Sequence, residues 1–296
     1  MQPQQSTHGG GRASARPQRR SEPMRILHPT DFSRTAELAR VLALDLCERL
    51  AAELRVLHVQ QGFIDQGGAP YVRAYLDSLE PALQRKLDED RRADEARLRE
   101  RLATMAGEHG TPELVAGDPL REILRLTAEH DLVVMGAHGQ SPLDDVFLGG
   151  IAGRVVRRTT RPVLTVRDTC TVSSVKRLLV ASDFGDASLG AWSFATELAR
   201  RGGLKLVLAH VTDGRETDAS AVNARLETLA AGRAERLAVR AGNPIDVLPA
   251  IAQDVGADAI VVGLRRQGRV AGLILGSRAD ALLRSSPVPI LSVPAR

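Results

Sequence analysis

Met24-Arg-Ile-Leu-His-Pro-Thr-Asp31-Phe-Ser33 is repeated 152 residues further on as Lys176-Arg-Leu-Leu-Val-Ala-Ser-Asp183-Phe-Gly185. Each copy is a short apolar run ending in hydroxyl-Asp-Phe, and finding it twice governs the reading of everything around it. A helical pattern follows each copy, Ala36 to Leu50 and Ala187 to Arg201, and then a second apolar run, Leu54–Val59 and Leu206–Val211. Further on, Gly117-Asp-Pro119 before the helical stretch Leu120–His130 matches Gly242-Asn-Pro244 before Ile245–Val255, with proline where a helix start tolerates a missing N–H. Asp131-Leu-Val-Val-Met-Gly136 matches Asp258-Ala-Ile-Val-Val-Gly263, and Arg161-Pro-Val-Leu-Thr-Val166 matches Val288-Pro-Ile-Leu-Ser-Val293, both pairs 127 residues apart.

Each copy therefore reads β-α-β-α-β-α-β-α-β. Runs such as Asp131–Met135 and Ala259–Val262 lack the period-2 alternation of a half-exposed sheet, which suits parallel strands covered on both faces. The fold class expected is α/β: two tandem doubly wound domains, each a five-stranded parallel sheet of Rossmann-like form. The expected boundaries are a basic, disordered tail over 1–23, domain 1 over 24–168, a linker over 169–174 and domain 2 over 175–296. The first copy carries an extra helix from Glu80 to Met105, whose alternating charges read as a solvated face.

A chain of 296 residues has room for two such domains. Of the net charge of +4, the tail supplies +3 through Arg12, Arg16, Arg19 and Arg20 against Glu22, so the folded part is nearly neutral. Aromatic residues make up 3%, too few for base-stacking platforms, and nucleic acid is not an expected partner. No run approaches the ~20 apolar residues of a membrane span. Two cysteines, Cys47 and Cys170, offer no disulfide framework, and the tail has no secretory signal, so a cytoplasmic location is expected.

In open parallel sheets, ligands sit at the carboxyl ends of strands, where helix N-termini point their N–H groups into a crevice. Two such ends carry distinctive residues. Pro29-Thr30-Asp31 closes the first strand, and Gly136-Ala-His-Gly139, followed by Gly149-Gly150-Ile151, closes the fourth. Close glycines let backbone approach a phosphate. The second copy keeps the spacing with Gly263, Arg266, Gly276 and Ser277. Neither the lysine-bearing phosphate loop nor a Gly-x-Gly-x-x-Gly fingerprint after the first strand is present. His28, His58, His138 and His210 lie near strand ends without zinc-ligand spacing and read as core or hydrogen-bonded residues; no metal site and no catalytic machinery is evident.

These motifs resemble the universal stress protein family, with two such domains in tandem and the likeness covering residues 24–168 and 175–296. Its pattern Gly-x2-Gly-x9-Gly-(Ser/Thr) is met by Gly136, Gly139, Gly149 and Gly150, and in the second copy by Gly263, Arg266, Gly276 and Ser277. The resemblance implies an adenine nucleotide, ATP or ADP and optionally Mg²⁺, with Asp31 against its adenosine part and Val59 at the base. Asp183 and Val211 are the equivalents in repeat 2. It also implies that the last strands, Val163–Val166 and Ile290–Val293, meet across a pseudo-twofold axis within one chain, with room for a homodimer beyond that.

Each copy departs from the pattern once. Gly150 lacks the hydroxyl, worth ~0.5–1.5 kcal/mol as a hydrogen bond. Arg266 puts a cation where backbone should approach phosphate, either plugging the loop or reaching the anion itself. Repeat 1 is thus the expected site, in a stress-response regulator that acts through ligand binding and assembly. The alternatives are a nucleotide-free scaffold with vestigial pockets, or a weak ATPase or self-phosphorylating enzyme.

Overall fold

The computed structural model describes residues 23–61, 78–139, 150–212, 219–265 and 277–295. Repeat 1 runs β1 (Arg25–Pro29), α1 (Arg34–Leu50), β2 (Glu53–Gln60), α2 (Pro81–Ala106), β3 (Gly110–Ala116), α3 (Pro119–Thr127), β4 (Leu132–Gly136), α4 (Ile151–Arg158) and β5 (Val163–Val166). Repeat 2 runs β6 (Arg177–Ala181), α5 (Asp186–Gly202), β7 (Lys205–Thr212), α6 (Ala219–Ala230), β8 (Arg236–Ala241), α7 (Pro244–Val255), β9 (Ala259–Leu264), α8 (Ser277–Ser285) and β10 (Ile290–Pro294). The tail over residues 1–22 lies outside the described residues.

Local chemistry sets the helix ends. Ser33, Asp118 and Asn243 each accept an N–H of the helix they precede, capping α1, α3 and α7. Proline occupies the first turn of α2, α3 and α7, and α1, α5 and α7 end on residues in the left-handed region, Ala51, Gly203 and Gly256. The helix expected to be peculiar to repeat 1 is not an extra element. Its counterpart in repeat 2 is α6, at 12 residues against 26 for α2. Most of α2 faces solvent; only Leu102 and Ala106, at its end, are buried.

The described strands form one ten-stranded sheet in the order β3-β2-β1-β4-β5-β10-β9-β6-β7-β8. Within each repeat all pairings are parallel, and the first strand lies between the second and fourth, so chain direction across the sheet reverses there. That reversal opens a crevice at the strands' carboxyl ends. Alternate strand residues feed two cores. Ile26, Val56, Leu132 and Val134 face the α1, α2, α5 and α6 side, while Leu27, Leu57, Val133 and Met135 face α3, α4, α7 and α8. Fully burying each such aliphatic side chain contributes ~1.5–3 kcal/mol.

The repeats meet at β5 and β10, which pair antiparallel with Leu164 opposite Leu291. All four residues of β5 are buried, so the junction covers an edge that a lone repeat would leave open. Helices α1 and α5 pack together on one face. On the other, Arg157 of α4 bonds Asp280 of α8 at 2.8 Å. The linker is tied to repeat 1 by Asp45, whose carboxylate accepts Ser174 Oγ and the Val175 N–H, both at 2.8 Å.

Candidate functional site

The corner between β1 and α1 is built from its own side chains. Phe32 has a φ of 63°, rare for a bulky residue, and the turn this makes brings the Phe32 N–H back to Thr30 Oγ1 and the Ser33 N–H to Asp31 Oδ1, each at 3.0 Å. His58 on β2 supports the corner from beside it, its Nδ1 donating to the Thr30 carbonyl at 2.8 Å. Thr35 Oγ1 then donates to the His138 carbonyl at 2.5 Å, joining this corner to the loop after β4.

Gly136 is required where β4 meets α1. A Cβ there would lie 2.6 Å from Thr35 Oγ1 and 2.9 Å from the Ala36 nitrogen. Gly263 is tighter still, with a Cβ 2.2 Å from the Ala187 carbonyl oxygen. The first position of the pattern is thus glycine in both repeats for a packing reason: a strand end crosses the start of a helix too closely for any side chain.

Between the two loops lies a cavity of about 540 Å³. Its lining brings together Pro29, Thr30, Asp31, Val59, Gly136, Gly139, Gly150 and Ile151. Apolar walls come from Leu57, Met135 and Ile123, and polar groups from Asp31, His58, His138 and Gln60. Helix α4 opens into the cavity through Gly150, Ile151 and Ala152 with no side-chain cap and no acidic residue in its first turn. Its N–H groups and positive dipole end thus lie at the cavity lining, a setting suited to an anion. Gly149 lies outside the described residues.

In repeat 2 the equivalent cavity measures about 210 Å³, and Asp183, Val211 and Gly263 line it. The corner is the same: Phe184 has a φ of 58°, its N–H donates to Ser182 Oγ at 3.1 Å, the Gly185 N–H donates to Asp183 Oδ1 at 2.9 Å, and His210 Nδ1 donates to the Ser182 carbonyl at 2.7 Å. The tie to the loop after β9 is different. Gly185 and Ala187 stand where Ser33 and Thr35 stand in repeat 1, and Arg265, in the place of His138, pairs with the Asp183 carboxylate. Burial opposes ionisation of Asp183, but the Gly185 N–H, Ser188 and Arg265 outweigh it and hold the carboxyl below its ordinary range. Arg266 and Gly276 lie outside the described residues, as does the side chain of Ser277, whose backbone begins α8.

Sequence reasoning missed Phe32, Ile123, Met135 and Arg265. Phe32 was visible, since the Asp-Phe pair recurs in both copies; Ile123 was not, because nothing in an amphipathic helix says which apolar residue borders a cavity. Of the histidines, His28 is fully buried and bonds the Val134 carbonyl through Nδ1 at 2.8 Å, while its Nε2 has no partner. Both cysteines are buried, and burial raises the Cys47 thiol to about 12. Among the described residues no three His, Cys, Asp or Glu stand together to hold a metal ion, and no helix is long and apolar enough to cross a membrane.

The model of a family described as "Universal stress protein family" matches the chain twice, over residues 23–167 and 174–294. A universal stress protein of Methanocaldococcus jannaschii is 28% identical over 157 residues, which are 48% of this chain and 94% of that protein. One from Mycobacterium bovis is 28% identical over 200 residues, 60% of this chain and 67% of its own length. The crystal structure of a universal stress protein from Archaeoglobus fulgidus superposes with a TM-score of 0.68 at 24% identity, covering 92% of this chain and 98% of that one, which establishes the shared fold.

Proposed function

The chain belongs to the universal stress protein family, and on that premise we propose that its first repeat binds one adenine nucleotide, ATP or ADP, and that the protein acts as a stress-response regulator through the bound state. The observation that carries this reading is the cavity at the β1/β4 crossover, where a carboxylate, apolar walls and an uncapped helix N-terminus surround about 540 Å³. Asp31 accepts hydrogen bonds from the ribose hydroxyls. Val59, Met135 and Ile123 exclude water from the base. The N–H groups at Gly150 and Ile151, with the Gly139 backbone, face the phosphates and stabilise their charge. An Mg²⁺ ion arriving with ATP would be carried by the phosphates, since Asp31 is the one carboxylate among the described lining residues.

Heat denaturation of purified protein, followed by chromatography and mass analysis of the supernatant, tests the reading. The expected result is ATP or ADP released at up to one equivalent per chain, or uptake of one equivalent when nucleotide is added back. Protein that yields none and takes up none has a vestigial first pocket.

A further inference from the structure

Two guanidinium groups outside both cavities repeat one geometry. Arg101, near the end of α2, lies over the Phe32 ring at 4.1 Å, and Arg225, on α6, lies over the Phe184 ring at 4.0 Å. On each ring a histidine packs as well: His58 at 4.5 Å between centroids and 39° between planes, His210 at 4.7 Å and 37°. The arginines come from helices that differ in length by more than a factor of two, yet they hold matching positions in Arg101-Leu-Ala-Thr-Met-Ala106 and Arg225-Leu-Glu-Thr-Leu-Ala230, and each reaches the phenylalanine that holds a left-handed backbone.

That backbone is unfavourable for phenylalanine and persists only where its surroundings over-determine it. Without the positive φ, the Ser33 N–H cannot turn back to Asp31 Oδ1, nor the Gly185 N–H to Asp183 Oδ1. Ring, cation and imidazole therefore act on the carboxylate next door. The face of the ring attracts the guanidinium electrostatically, and the histidine also fixes the carbonyl two residues before the phenylalanine, that of Thr30 or Ser182, so the ring and its turn are held together.

We propose that Arg101 and Arg225 are positioning residues, each clamping a strained phenylalanine so that the adjacent aspartate is presented to its pocket. For Arg101 the consequence for binding rests on the nucleotide reading of repeat 1; the consequence for the loop does not. Most of α2 is a solvated face, and Arg101 is the member of that face through which the helix reaches the cavity wall, since Phe32 lines the cavity.

The test uses the full chain with Arg101→Ala, Arg101→Lys and Arg225→Ala, reading hydrogen exchange at individual amides and titrating ATP with Mg²⁺. Arg101→Ala should raise exchange at Phe32 and Ser33 and weaken ATP about two- to fivefold, and Arg101→Lys, which keeps a cation over the ring, should restore most of both. Arg225→Ala should move exchange at Phe184 and Gly185 instead. Unchanged exchange at Phe32 and Ser33 in Arg101→Ala overturns the proposal, as does raised exchange with wild-type ATP affinity. If the wild type binds no ATP, the nucleotide reading falls, and exchange at those two amides decides the positioning role by itself.

Discussion

The two cavities share strand order, a strained phenylalanine, a histidine beneath it and an arginine above it, yet one encloses about 540 Å³ and the other about 210 Å³. They part at the tie between their two loops. In repeat 1 a hydroxyl makes it, Thr35 donating to the His138 carbonyl; in repeat 2, with Ala187 at that position, Arg265 makes it by engaging the Asp183 carboxylate. The comparison teaches that the features holding the corner together are separable from the tie that joins it to the loop after the fourth strand. A repeat can keep the first and redirect the second.

The glycines at the strand ends are where the comparison should show its largest effect. Gly263→Ala drives a methyl to 2.2 Å from a backbone carbonyl, which no rotamer change relieves, and should destabilise the protein by roughly 3 kcal/mol or more in urea unfolding. Gly136→Ala meets the Thr35 hydroxyl at 2.6 Å and the Thr35 and Ala36 backbone at 2.9 Å, a less severe approach, and should cost about 1–3 kcal/mol. Equal losses in the two variants would show that the strand-to-helix approach does not differ between repeats.

Next comes a buried histidine that only repeat 1 carries, since Val180 stands in the equivalent strand position. Burial, with a smaller push from Arg40, outweighs the Val134 carbonyl, Glu37 and Asp31 and lowers His28 from an ordinary value of 6.5 to about 4. Between those two pH values the unfolded chain binds a proton that the folded chain refuses. Stability is therefore full above about pH 6.5 and falls as the pH drops toward 4, by roughly 3 kcal/mol in total. His28→Val should flatten that part of the pH profile in thermal melts, and a variant with the wild-type acid slope would place the sensitivity elsewhere.

Effects on the second cavity should be smaller. The Arg265 and Asp183 side chains are 66% and 54% exposed, and an exposed pair is worth at most about 1 kcal/mol. Arg265→His, which installs the residue of repeat 1, should strengthen ATP binding at repeat 2 by no more than about fivefold. If Arg266→Gly alone strengthens it, the pair is incidental. Smallest is Gly150→Ser, which adds a hydroxyl at the uncapped start of α4 and should tighten ATP by a few-fold, ~0.5–1 kcal/mol. A weakened affinity would mean that the hydroxyl caps the helix at the ligand's expense.

Much of this was legible because repetition and periodicity are written locally. The apolar runs 131–135 and 259–262 announce buried parallel strands, and Pro119 and Pro244 mark helix starts within a residue. The β5–β10 junction came from family likeness, since nothing in Val163–Val166 names its partner. At the site, backbone-permissive residues were readable as positions but not as reasons: Gly136 answers to Thr35, a hundred residues away in sequence, and that contact exists only after the sheet forms. Arg265 was illegible for the same cause, whereas Arg101 had a signal that went unread, the Arg-Leu-x-Thr-x-Ala run shared by 101–106 and 225–230. An arginine on a charged helix or in a loop looks like solvated surface until the fold sets a ring or a carboxylate beneath it.

Asp31, and not Asp183, should be the aspartate that a bound nucleotide needs. Calorimetric titration of ATP into wild type, Asp31→Ala and Asp183→Ala should give one equivalent per chain in the wild type, a loss of affinity of at least about tenfold in Asp31→Ala, and one equivalent retained in Asp183→Ala. A wild type that binds nothing, or a single site lost with Asp183 and kept without Asp31, would contradict it.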